Sequence, residues 1–203
     1  QVQVQGQAAQ AEITQIKGNA TYSTAGGAAM PLKVGDKIPA GTIIKTGPGA
    51  YVSVFFGTSA GYVRVMENST LNVDKFSLTD TGADTAVDLQ LNLPEGVAVG
   101  HVNKLSAASK YEVKLPYGIA GIRGTDYRFT ANGTVVLLSG SIILVHAPVG
   151  QPPVAYPMNA PPPVYFQPGK GVMLAPDRLI EEVKADSFGL PGAAPLVQEG
   201  IDP

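Results

Sequence analysis

The sequence predicts an all-β fold, a compact β-sandwich or irregular β-solenoid of many short strands, with a proline-rich strap and one short C-terminal helix. Three observations carry this. Short β-branched and aromatic runs recur along the chain, and Gly, Pro, Asn and Asp separate nearly all of them. Strand starts fall about 8–12 residues apart, the spacing of a sandwich, barrel or solenoid. A helical pattern is confined to one stretch near the C-terminus.

The first ten residues alternate Gln with Val before relaxing into Gly, Gln and Ala, so Val2 and Val4 share one face of an N-terminal strand or arm. Residues 11–146 form the β-rich body. Its candidate strands are Glu12–Lys17, Ala20–Ser23, Thr42–Lys45, Tyr51–Phe56, Tyr62–Met66 and Thr70–Asp74 in the first half. Ala86–Leu93, Val97–Val102, Tyr111–Leu115, Asp126–Thr130, Thr134–Leu138 and Ser141–His146 follow. The rhythm is clearest between Pro31 and Gly57, where Gly35-Asp36 and Gly47-Pro48-Gly49 set corners between Thr42-Ile-Ile-Lys45 and Tyr51-Val-Ser-Val-Phe-Phe56. Thr134–Leu138 is apolar on both faces and is expected to be central. No strict repeat period is present.

Residues 147–168 are rich in proline, which removes amide donors, so the expected conformation is polyproline II rather than a central strand. Together with a returning strand at Gly171–Ala175 they make a strap over 147–175. As a recognition segment the strap offers Tyr156, Tyr165 and Phe166 as apolar anchors beside a preordered backbone. Within 176–203, Pro176–Phe188 is the expected helix. Asp177 is its cap, Leu179, Ile180 and Val183 are its apolar stripe, and Gly189 is its stop.

A net charge of −2, with 15% of residues charged, leaves no basic stripe to hold phosphates, which excludes nucleic acid as the main partner. Cysteine is absent, and with it disulfides, thiol nucleophiles and Cys-based zinc sites. The most apolar segment, Thr134–Val149, is interrupted by Ser139-Gly140-Ser141 and Pro148 and is too short to span a membrane as a helix. The chain begins without Met or a basic region and reads as a mature end left by a secretory signal. The expected location is therefore secreted, at the cell surface or in the periplasm.

Candidate chemistry is sparse. His101 and His146 have no patterned neighbour and read as strand-edge or core histidines. Asp80, Asp84 and Asp88 stand at four-residue spacing around Gly82, but without the ligand density of a calcium loop they read as a polar loop tip. Gly121-Ile-Arg-Gly124 lacks the Lys-Ser/Thr ending of a phosphate loop. Arg123 between its two glycines reads as a structural clip satisfied by carbonyls or a carboxylate. An enzyme acting on carbohydrate needs paired carboxylates; Asp36, Glu67, Asp74, Glu95 and Asp126 cannot be paired from the sequence. No cofactor, metal site or catalytic residue is expected.

Laid end to end, the motifs resemble the FecR domain family. The resemblance rests on Ile16-Lys-Gly18, Leu32-Lys-Val-Gly-Asp36, Gly41-Thr-Ile-Ile-Lys-Thr-Gly47 and Ala50-Tyr-Val-Ser-Val54. It continues through Leu91–Gly96, Tyr111–Pro116, Gly121-Ile-Arg-Gly-Thr-Asp-Tyr-Arg-Phe129 and Val136-Leu-Leu-Ser-Gly140, and covers about residues 16–146. The structural signature residues are Gly35, Asp36, Gly47, Arg123, Gly124 and Thr125. The resemblance implies an extracytoplasmic all-β domain. In the best-known members that domain belongs to a membrane-spanning regulator that relays ferric-siderophore transport to a sigma factor. This chain reads as a stand-alone secreted member, without the sigma-regulator and transmembrane segments.

Two functions are expected in order. The first is a non-enzymatic structural or interaction module, self-assembling into a surface fibre through terminal strands, with copies of itself as the partner. The alternative is a soluble envelope-signalling or ligand-sensing component that binds an envelope protein.

Overall fold

Along Thr85–Glu95, Val87, Leu89, Leu91 and Leu93 are buried while the residues between them face outward. Period-two alternation of this kind builds most of the molecule. The computed structural model describes residues 6–192. The first strands are β1 (Gln7–Ala8), β2 (Gln10–Lys17), β3 (Ala20–Thr24), β4 (Met30–Pro31), β5 (Lys37–Pro39) and β6 (Thr42–Thr46). Next come β7 (Tyr51–Phe55), β8 (Tyr62–Val65), β9 (Thr70–Asp80), β10 (Thr85–Glu95), β11 (Val97–Val102) and β12 (Lys110–Leu115). The last are β13 (Gly118–Thr130), β14 (Val135–His146), β15 (Val154–Ala160), β16 (Val164–Gln167) and β17 (Gly171–Leu174), followed by helix α1 (Asp177–Asp186).

The long antiparallel pair β13–β14 is the spine. The C-terminal half of β13 pairs with β11, and β8, β7 and β2 follow outward from it. On the other side of this half, β14 pairs with β16, and β16 with β17. The N-terminal half of β13 pairs with β12, then β10, β9, β6, β3 and β4. There the outer neighbour of β14 is β15. The β10–β12 pairing is parallel, and the remaining ladders are antiparallel. The result is one continuous curled sheet whose two halves close on a common core. Across that core Phe56 meets Phe76 edge-on at 5.3 Å, Tyr156 meets Phe166 at 4.8 Å, and the hydroxyls of Tyr111 and Tyr127 are hydrogen-bonded at 2.8 Å.

The spine turns from one half to the other at a glycine corner. Register shifts interrupt β13–β14 between Ile122 and Thr125 and again beside Asp126. Gly124 lies there at φ +130°, where an added Cβ would stand 2.7 Å from the Lys104 Cα. A Cβ on Gly140, opposite, would run into the Gly124 carbonyl oxygen. Only glycine tolerates backbones this close.

Three expectations are corrected. Ser139-Gly140-Ser141 does not break β14; it bends it, so Thr134–Leu138 and Ser141–His146 belong to one strand. Likewise β9 runs on past Asp74, and β13 begins at Gly118 rather than Asp126. The strap is not polyproline II over its length. Val154–Ala160 and Val164–Gln167 lie antiparallel to successive parts of β14, with Pro161-Pro162-Pro163 at the spine's corner. Finally, α1 starts at Asp177 itself, which supplies a first-turn charge; Pro176 is the N-cap position and no side chain caps it.

Candidate functional site

The sheet's outer surface carries two contrasting regions, both crossing the spine. In the half containing β11, cross-strand register places Gln15, Ser53, Arg64, Val99, Arg128, Val136, Tyr165 and Met173 in one row across eight strands. Helix α1 covers the middle of this row, from Arg64 to Tyr165. Leu179 and Val183 of the helix are buried against Val136 and Leu138, with Tyr165, Ala175 and Ile180 around them. The two-faced pattern of β14 finds its explanation here, since Val135 and Leu137 enter the main core and Val136 and Leu138 meet the helix.

Two arginines fasten the helix. Arg64, 3% exposed, lies on the sheet with its guanidinium 4.4 Å from the centroid of the Tyr51 ring. It donates from Nε to Ser53 Oγ at 2.9 Å and from Nη2 to Gln15 Oε1 at 2.7 Å. Its Nη1 donates to the carbonyls of Asp186 and Phe188 at 3.0 and 2.6 Å. A cation on carbonyls at a helix C-terminus opposes the macrodipole as well as satisfying orphan acceptors. Burial lowers the Arg64 pKa from its ordinary value, while Tyr51 and Asp186 act the other way; a guanidinium remains charged at neutral pH. Arg128 donates from Nε to Asp186 Oδ2 at 2.9 Å, with Glu182 3.8 Å away.

A neighbouring row holds Phe55, Tyr62, His101, Asp126 and Ser139. His101 Nδ1 lies 2.5 Å from Asp126 Oδ1, and Ser139 Oγ donates to Asp126 Oδ2 at 2.9 Å. The serine is bound to the carboxylate and not to the imidazole, so this is not the nucleophile–base order of a hydrolase triad. Phe55 and Tyr62 stack at 4.6 Å beside a cleft of about 270 Å³, which His101, Asn103 and Pro191-Gly192 complete. Among the other candidate carboxylates, Asp36 Oδ2 accepts the Lys33 amide and Glu67 Oε2 the Gly49 amide. Both are turn-building contacts.

The other half presents a different outer face. Register aligns Lys114, Ile119, Val145 and Ala155 in one row, and Glu112, Gly121, Ile143 and Pro157 in the next. Ile119 is 37% exposed, Ile143 52% and Val145 37%, with Tyr117 exposed at the margin. Gly121 has no side chain to fill its place, and a depression of about 130 Å³ opens there between Glu112, Arg123 and Ile143. Among the described residues no element lies over this face.

The residues singled out in the sequence scatter. Val2 and Val4 lie outside the described residues. Tyr156 and Phe166 turn inward and pack on each other, and Tyr165 lies under α1, so the three do not form one exposed set of anchors. Gly35 turns at φ +92° and donates its amide to the Ile13 carbonyl, and Gly47 donates to the Asn19 carbonyl. Gly124 and Thr125 sit at the spine's corner. Arg123 reaches the Ser109 carbonyl at 3.4 Å on the rim of the bare face. Asp80 closes the β9–β10 turn through the Gly82 amide, and Asp88 pairs with Lys75. Sequence reasoning missed Arg64. A lone cation within Tyr62-Val-Arg-Val65 is the same signal that drew attention to Arg123.

A family model described as FecR protein matches residues 42–142, from β6 through most of β14, and leaves β15, β16, β17 and α1 outside the match. No curated protein and no solved structure matches the chain.

Proposed function

Because this chain carries a domain of the FecR family, we propose that it is a non-enzymatic, extracytoplasmic component of envelope signalling that works by binding a protein partner. The observation that carries this reading is the bare apolar face of Ile119, Ile143 and Val145 on a scaffold braced from behind by a continuous core. A contiguous apolar patch rimmed by polar groups is the ordinary mark of a docking site. The polar cleft at His101 does not have the nucleophile–base order of a hydrolase triad. No helix among the described residues is long and apolar enough to cross a membrane.

The fibre reading draws less support. Strand addition needs a long free edge with its amides available. Here β4 has two residues and ends in Pro31, β5 ends in Pro39, and β15 carries Pro157 within it and three prolines after it. Edges guarded in this way resist pairing with another chain; β17, paired with β16 alone and without proline, is an open edge but only four residues long.

A genetic experiment tests the signalling reading. Chromosomal Ile143→Asp is expected to reproduce the transcriptional change caused by deleting the gene, at an unaltered level of the protein. Wild-type transcription in both strains, under conditions that challenge the envelope, would count against it.

A further inference from the structure

We propose that the bare face receives an acidic amphipathic helix supplied by a partner protein, laid across β12, β13, β14 and β15 much as α1 lies across the same spine on the other half. This rests on the protein-binding reading above and names the partner's chemistry.

The argument is by internal template. On the covered half, a helix with an apolar stripe and acidic residues packs on Val136 and Leu138 of β14, and one cation on the sheet, Arg128, pairs with its Glu182 and Asp186. The bare half repeats both ingredients on the same strands. Ile143 and Val145 of β14 and Ile119 of β13 supply the apolar surface. Lys110, Lys114 and Arg123 stand around it; Glu112 answers Lys110 at 3.6 Å, and among the described residues no carboxylate pairs with Lys114 or Arg123. Dimensions agree as well. Four strands about 4.8 Å apart span about 14 Å, and a ten-residue helix is about 15 Å long. The notch at Gly121 leaves room for one side chain of the helix to enter between Glu112 and Ile143.

The alternatives fit less well. An added strand would have to pair at β15, whose Pro157 has no amide to give. A second copy meeting this face symmetrically would bring together two faces that each carry Lys110, Lys114 and Arg123 against a single carboxylate, Glu112, and like net charge opposes association.

The test uses the full chain with methyl-labelled Ile, Leu and Val, observed by NMR. The probe is a synthetic stapled helical peptide with Leu at i, i+3, i+4 and i+7 and Glu on both flanks. Controls replace every Glu by Lys or scramble the Leu positions. The expected result is a saturable shift of the Ile119, Ile143 and Val145 methyls, with Leu179 and Val183 unmoved. Ile143→Asp should raise Kd at least tenfold, and Lys114→Gln with Arg123→Gln at least threefold with a flatter salt dependence. A spectrum unchanged away from position 143 certifies that the Ile143→Asp chain is folded. Absence of shifts, equal binding of the Lys peptide, or shifts at Leu179 and Val183 would overturn the proposal. Shifts that follow protein concentration without peptide would replace it with self-association. A photo-crosslinking residue at Val145 separates the two levels of failure. If it still joins one discrete envelope protein while the peptide does not bind, docking stands and the helix is wrong; if neither occurs, the protein-binding reading falls too.

Discussion

Strands β13 and β14 carry two outer faces of similar apolar character, and only one is covered. Beyond the glycine corner toward β11, Val136 and Leu138 lie under α1, and the buried Arg64 makes four hydrogen bonds around the helix end, to Ser53, Gln15, Asp186 and Phe188. Toward β12, Ile119, Ile143 and Val145 stay in the open with cations beside them. The difference teaches where this fold keeps its own stability and where it keeps capacity for something else. A face that serves folding is closed by groups which cannot be removed without leaving orphans. A face that serves binding can be altered with little effect on the folded chain.

The largest effect should follow from opening the covered side. Arg64→Ala removes one of the two donors to Gln15 Oε1 and a donor to two carbonyls at the end of α1, and leaves the aromatic face of Tyr51 uncovered. Loss of several charge-assisted bonds at a buried site is expected to cost about 3 kcal/mol. Urea denaturation measures it. Hydrogen exchange should show α1 amides opening first, because the helix has few other ties. A loss below about 0.5 kcal/mol, the range of ordinary surface changes, would mean that Arg64 does not hold the helix.

A second measurement probes what joins the halves beneath both faces. Tyr111 of β12 and Tyr127 of β13 share a buried hydrogen bond, and burial pushes both phenols above the ordinary range. For Tyr111, the charge of Tyr127 and the bond to it add to the effect; for Tyr127, the bond to Tyr111 works in the opposite direction. In the unfolded chain both ionise near pH 10. The folded chain therefore binds more protons above that pH, and the stability from these groups is complete below about pH 10 and declines as pH rises toward the folded values. The decline is expected to approach about 1.4 kcal/mol per pH unit for each phenol. Urea midpoints taken between pH 8 and 11 should fall steeply above about pH 10 in the wild type and less steeply there in Tyr111→Phe with Tyr127→Phe. Equal slopes would place the alkaline sensitivity elsewhere.

The strand-and-turn grammar between Pro31 and Gly57 was readable because each corner carries its own Gly or Pro, and β6 and β7 lie where that grammar puts them. The spine was harder. Glycine usually ends a strand, so Ser139-Gly140-Ser141 reads as a break, whereas the glycine is needed for Gly124 to approach from the facing strand. That requirement comes from a residue 16 positions away and leaves no local trace. The strap shows the converse. Its prolines point to an extended, unpaired backbone, yet Tyr156 and Met158 alternate inward as a strand's would, and that alternation was visible in Val154–Ala160. The bare face was the least legible, because Ile119, Ile143 and Val145 are individually ordinary core residues. Only cross-strand register brings them together, and only accessible surface distinguishes them from Ile122 and Ile142 beside them.

The smallest expected effect sharpens the comparison most. Ile143→Thr keeps the β-branch that suits a strand and removes apolar surface that is already half in water. Its cost is expected to stay within about 0.5 kcal/mol, as for substitutions on an uncommitted surface. Leu179→Ala, a truncation of similar chemistry under α1, should cost about 2 kcal/mol, since it removes buried methyl groups and leaves a void. Both are read from the same urea titrations, so the contrast does not depend on absolute values. If Ile143→Thr costs as much as Leu179→Ala, the face is already covered by the chain itself, and the argument for an outside partner loses its footing. If the fourfold contrast holds, Ile143 contributes little to folding, and its place beside Lys114 and Arg123 has to be explained by what binds there.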